Sequence, residues 1–66
     1  MKEIKFAENL KALRVAAKLT QSQLAKKLDV DQRTISAWEK CICEPDFNTL
    51  NKLCEIFDED FNSILT

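Results

Sequence analysis

Gln32, Arg33, Ser36, Ala37 and Lys40 recur at the spacing that places side chains on one stripe of a helix. Their types suit one kind of chemistry. A glutamine amide both donates to and accepts from the edge of an adenine, and an arginine fork donates twice to guanine. Serine bonds either kind of edge group, and an alanine methyl packs against the methyl group of thymine. Lysine adds a charge for a phosphate. Such a row matches the major-groove face of a duplex. Ile35, Trp38 and Glu39 fall on the other side of the same helix and are expected to point inward.

Two short helices joined by a tight turn must hold that row in place, and the stretch Thr20 to Lys40 supplies them. Leu24, Ala25 and Leu28 give the first helix one buried side. Thr20 precedes Gln21 as an N-cap whose hydroxyl accepts from an orphan amide of the first turn. Asp31 does the same before Gln32, and its charge suits the positive end of the helix. Leu28-Asp29-Val30-Asp31 is a connection of the length used in such pairs. Ala25 is small where the helices approach, and Val30 is apolar where the turn meets the core. A plain amphipathic hairpin explains the apolar spacing but not the caps, turn length and polar row together. The motif at 20–40 therefore reads as a helix-turn-helix, with a recognition helix over about 31–40.

The residues Leu19-Thr20-Gln21, Leu24-Ala25, Leu28, Val30, Thr34-Ile35-Ser36, Trp38-Glu39 and Pro45 carry a resemblance to a known family. They resemble the Cro/repressor-type, XRE-like helix-turn-helix group of phage and bacterial regulators. The family pattern is L-T-Q-x-x-L-A-x-x-L-G-V-s-x-x-T-I-S-x-W-E-x-G, then a loop, a proline and another helix. The resemblance runs from Phe6 to Leu65 and implies an all-α, five-helix lambda-repressor-like DNA-binding domain. It implies double-stranded DNA as partner and a repressor that binds a pseudo-palindromic operator as a dimer. Half-sites would lie about 34–36 Å apart, one helical turn. Gln21 resembles the family's phosphate-contacting glutamine, and the family concentrates base contacts where Gln32 and Arg33 stand. Lys40 and Lys11 are placed to approach phosphates. Glu39 needs a partner if buried, and the family commonly pairs the positions held here by Arg14 and Glu39, a structural tie. The chain departs from the pattern in having no glycine: Lys18, Asp29 and Cys41 stand where the family often has one. Either the loop after the recognition helix takes another path there, or the backbone is strained.

The remaining segments read as helices around this motif, giving a single domain over residues 1–66. Phe6, Leu10 and Leu13 mark a first helix. Leu50, Leu53, Cys54 and Phe57 mark a fourth, after Pro45 with Asp46 as cap. Asp60 would cap a last short helix carrying Phe61, Ile64 and Leu65, and Asp58-Glu59-Asp60 reads as turn plus cap. At 66 residues, neither a small-molecule effector domain nor a separate oligomerisation domain is expected. A weak homodimer is therefore expected through the domain itself. Phe61, Ile64 and Leu65 are the apolar candidates, with Ile42 and Phe47 in reserve.

Net charge, −1, argues at first against nucleic acid, but its distribution reverses the argument. Residues 1–40 hold nine of ten basic residues against five acidic ones, a balance of +4. Residues 41–66 hold Lys52 against six acidic residues, a balance of −5, and would face away from phosphates. The low total predicts modest affinity for a monomer and weak non-specific binding. With no His and only three Cys, a structural zinc site is not expected, and no cofactor is implied. Free thiols suit a reducing cytoplasm, and Cys41 and Cys43 are candidates for a thiol response in the loop beside the recognition helix. No catalytic constellation, membrane span or signal peptide is legible, so the chain is not expected to be an enzyme. A second functional class remains open: a protein-interaction module, such as an antitoxin or antirepressor, using the same fold.

Overall fold

A computed structural model describes residues 5–66 of the chain. Lys2 and Glu3, which entered the charge balance, lie outside the described residues. Five α-helices follow one another: α1 Phe6–Ala16, α2 Gln21–Leu28, α3 Gln32–Glu39, α4 Phe47–Phe57 and α5 Phe61–Leu65. The all-α, five-helix arrangement is the one the sequence implies.

Side-chain caps set four of the five helix starts. Thr20 accepts from the Gln23 amide while the Gln23 side chain accepts from the Thr20 amide, a reciprocal capping box. Asp31, Asp46 and Asp60 accept from the amides of Arg33, Thr49 and Ser63 respectively. Helix α1 has no such cap. Its start is tied instead to the far end of the chain, where the Lys5 amide donates to the Leu65 carbonyl at 2.7 Å. Asn9 Nδ2 donates to the Ile64 carbonyl at 3.0 Å.

Each helix contributes one side chain with no exposed surface: Leu10, Leu24, Ile35, Leu53 and Ile64. Burial of a side chain of this size contributes about 1.5–3 kcal/mol. Phe6, Ala25, Leu28, Trp38 and Cys54 complete the buried cluster, and Leu13, Leu19, Val30, Leu50, Phe57, Phe61 and Leu65 pack against it. One expectation needs correction. Ile64 is fully buried and cannot lie on a dimer face, because α5 lies across α1 and turns that residue into the core. Phe61 and Leu65 are half-buried against the same core, whereas Phe47 and Ile42 stand exposed.

The four C-terminal helix ends that precede another helix share one geometry. In each, an amide reaches back five residues: Leu19 to Arg14, Val30 to Ala25, Ile42 to Ala37 and Glu59 to Cys54. This bond closes a Schellman motif, which requires a left-handed residue just before the donor. Lys18, Asp29, Cys41 and Asp58 take that place with φ of 60°, 58°, 61° and 54°. The chain therefore adopts the geometry that favours glycine without having one. Cys41 follows no other path; the backbone there is strained. Asp58 is a fourth such site, which the motif comparison did not reach.

Candidate nucleic-acid interface

Helix α3 carries the candidate row on a rigid mount. Ile35 and Trp38 anchor it in the core, and α2 packs against it most closely of all the helices. On the outer side Gln32, Arg33 and Lys40 are exposed. Ser36 and Ala37, one turn along, are half-buried, so any base edge must come close to the α3 backbone to meet them. Lys11 is exposed on α1, and Gln21 is half-buried at the start of α2.

Arg33 does not extend freely into solvent. Its guanidinium donates to its own helix cap, Nε to Asp31 Oδ1 at 3.3 Å and Nη2 to Asp31 Oδ2 at 3.4 Å. The contact holds the Asp31 carboxyl below its ordinary range, first through the side-chain bond and then through the Arg33 amide. Both side chains are solvent-exposed, so the pair is weak and leaves the guanidinium free to exchange Asp31 for another acceptor.

Behind the row lies a largely buried ion pair. Arg14 Nε donates to Glu39 Oε2 at 2.7 Å and Nη2 to Oε1 at 3.1 Å, while Nη1 caps the Leu19 carbonyl at 2.8 Å. The side chains are only 12% and 5% exposed. Burial alone would raise the Glu39 carboxyl. Hydrogen bonds from Arg14 and Gln21, with the charges of Arg14 and Lys11, override it and hold the group below the usual carboxylate range. The pair fastens α1 to α3.

Gln21 links this pair to the row. Its Nε2 donates to Glu39 Oε1 at 3.1 Å, and its Oε1 accepts from Gln32 Nε2 at 3.0 Å. Sequence reasoning placed Gln21 and Gln32 near DNA and Glu39 inward, but did not join them. The hint in the sequence was that an inward carboxylate offers about four lone-pair sites, more than one arginine fork fills, and so invites a second donor.

The loop after α3 exposes Cys41 and Cys43, which share a cavity of about 70 Å³ with Phe6, Ala7, Trp38 and Glu44. Cys54 is buried, and desolvation, with Asp60 and Glu59 nearby, pushes its thiol up. Among the described residues no group of three or more Cys, Asp or Glu is arranged to hold a metal ion. No helix among them is long and apolar enough to cross a membrane.

Comparison with known proteins gives this geometry a context. The helix-turn-helix family model matches residues 10–64. Over 60 residues, 91% of the chain, it is 38% identical to the uncharacterised HTH-type transcriptional regulator YqaE of Bacillus subtilis. It is 33% identical over 63 residues, 96% of the chain, to the HTH-type transcriptional activator BcrR of Enterococcus faecalis. The chain spans 52% of the length of the first relative and 31% of the second. A crystal structure of a transcriptional regulator from Listeria innocua superposes with a TM-score of 0.92 at 28% identity, over 97% of this chain and 60% of that one. With α2 and α3 in the helix-turn-helix arrangement and 55 consecutive residues matched, the chain belongs to the helix-turn-helix family of XRE/Cro-type transcriptional regulators.

Proposed function

We propose that the chain binds duplex DNA in a sequence-specific manner and regulates transcription, acting as a repressor by occupying a pseudo-palindromic operator as a dimer. The observation that carries this reading is the exposed row Gln32, Arg33 and Lys40 on a helix whose opposite face is locked into the core. Gln32 and Arg33 contact base edges, Ser36 and Ala37 meet bases one turn on, and Gln21, Lys40 and Lys11 contact phosphates. Gln21 retains a second Nε2 hydrogen for that contact beyond the one given to Glu39. Repression by occlusion needs only binding, which is why it is the simplest mode for this domain. Three free thiols fit a reducing, cytoplasmic setting.

Dimerisation is assigned to the surface around Phe47, whose ring lies 5.0 Å from that of Phe61, with Leu65 and Ile42 as further apolar candidates. The same exposed side chains, Phe47 at 69% and Ile42 at 72%, favour a second reading, a protein-interaction module such as an antitoxin or antirepressor. Selection of bound sites from a random duplex library at two salt concentrations separates the two. An inverted repeat with half-sites about 34–36 Å apart supports the dimeric operator reading. Salt-sensitive binding without an enriched sequence, or no binding, moves the assignment to the interaction module.

A further inference from the structure

Cys41 and Cys43 carry exposed thiols that the function proposed above does not use. Both line the same cavity of about 70 Å³, with Trp38 and Glu44 among its other walls. Ile42, between them, is not one of those walls and stands 72% exposed. The turn therefore brings side chains two residues apart to one small space and sends the one between them outward. Cys41 reaches its place in a left-handed conformation, φ 61°, which a glycine would take at no steric cost. Two bonds hold the backbone at this point: the Cys41 amide donates to the Trp38 carbonyl at 3.2 Å, and the Ile42 amide to the Ala37 carbonyl at 2.9 Å. A ligand that bridges the two sulfurs meets a partly ordered turn and loses less freedom on binding than it would on a flexible peptide.

Thiolate sulfur selects soft cations, and the number of ligands narrows the class. Zinc closes a structural site with four. Here Glu44 faces the same cavity, yet among the described residues no group of three or more Cys, Asp or Glu is arranged to hold a metal ion. A monovalent coinage-metal cation is satisfied by two thiolates. We propose that Cys41 and Cys43 form a two-thiolate site for Cu(I) at the C-terminal end of the recognition helix. One Cu(I) displaces both thiol protons to solvent and forms two Cu–S bonds, with its oxidation state unchanged. Two neutral thiols thereby become a bis-thiolate complex with one net negative charge, next in the chain to Lys40. The effect on DNA rests on the phosphate-contacting role given to Lys40 above: the new charge opposes the phosphate, and Cu(I) weakens operator binding.

The test titrates the reduced full chain, under nitrogen, into the coloured Cu(I)–bicinchoninate complex and follows loss of colour together with Trp38 emission. Transfer of one Cu(I) per chain is expected, with a change in emission because Trp38 lines the cavity. Cys41→Ser and Cys43→Ser, which keep the Cβ and the chain path, are each expected to lose the transfer. Transfer that survives in either variant, or one Cu(I) shared between two chains, overturns the site. The wild-type urea midpoint, read by circular dichroism, is expected to rise when Cu(I) is present. A midpoint that does not move means that the unfolded chain binds equally well, and overturns a site built by the fold. On the selected duplex, Cu(I) is expected to weaken binding roughly two- to fivefold at low salt, the worth of one exposed charge pair, and by less at high salt. An unchanged duplex affinity with one Cu(I) bound overturns the coupling to DNA and leaves the site standing. A chain that takes up Cu(I) but enriches no duplex overturns the operator reading alone.

Discussion

Replacing Cys41 by glycine is expected to stabilise the domain, although it removes a side chain from the wall of a cavity. Cys41 holds a φ of 61° at the end of α3, and the bond from the Ile42 amide to the Ala37 carbonyl at 2.9 Å depends on it. For a residue with a Cβ, the left-handed conformation costs about 1–2 kcal/mol. Glycine removes that cost but returns about 0.4–1 kcal/mol to the unfolded chain through its greater freedom. The difference lies between about 0 and 1.6 kcal/mol, about 0.8 at mid-range, and for a domain of this size each kcal/mol moves Tm by about 4–8 °C. A rise of about 3–6 °C follows at mid-range. Trp38, the single tryptophan, sits in the core and reports unfolding by fluorescence in heat or urea. Cys41→Ala is the control: it deletes the thiol but keeps the Cβ, and is expected to gain little. Lys18→Gly should behave like Cys41→Gly, and Asp29→Gly should gain less, because a short carboxylate side chain tolerates this region. If Cys41→Gly melted no higher than Cys41→Ala, the strain argument would be wrong.

Arg14→Ala is expected to destabilise the fold by about 3 kcal/mol, since it leaves Glu39 buried without its cation; unchanged thermal stability would refute the role. The Glu39 carboxyl is held below its unfolded value, so the unfolded chain takes up the proton first and stability falls as pH drops below about 4; a wild-type urea midpoint flat from neutral pH to pH 3 would contradict this. Ile64→Ala should cost about 2–5 kcal/mol in a urea melt, because that side chain is fully buried. By contrast Phe47→Ser, which loses an exposed ring pair, should cost less than about 1.5 kcal/mol while weakening self-association in sedimentation. Lys40→Ala should lower affinity for all duplexes alike and make the salt slope shallower by about 0.9; a change in sequence preference would move Lys40 from phosphate to base.

What could be read along the chain was local. Thr20, Asp31, Asp46 and Asp60 announce helix starts because a cap is a contact two or three residues long. Leu24, Leu28, Ile35 and Trp38 announce buried faces because helical periodicity is a property of one segment. The outward row of α3 follows from the same periodicity. The tertiary structure decided whatever depended on two segments meeting. Phe61, Ile64 and Leu65 share one face of a five-residue helix, and the sequence alone offers that face equally to a core or to a partner. Bonds from Lys5 and Asn9 in the neighbourhood of α1 turn it inward. Arg14, Gln21, Gln32 and Glu39 come from three helices, so their hydrogen-bonded line has no sequence period to betray it. Composition showed that glycine was absent. The family resemblance marked Lys18, Asp29 and Cys41 as places for one; the closed helix ends showed that these three, and Asp58 as well, take a glycine's conformation, because the requirement comes from the path of the chain into the next helix.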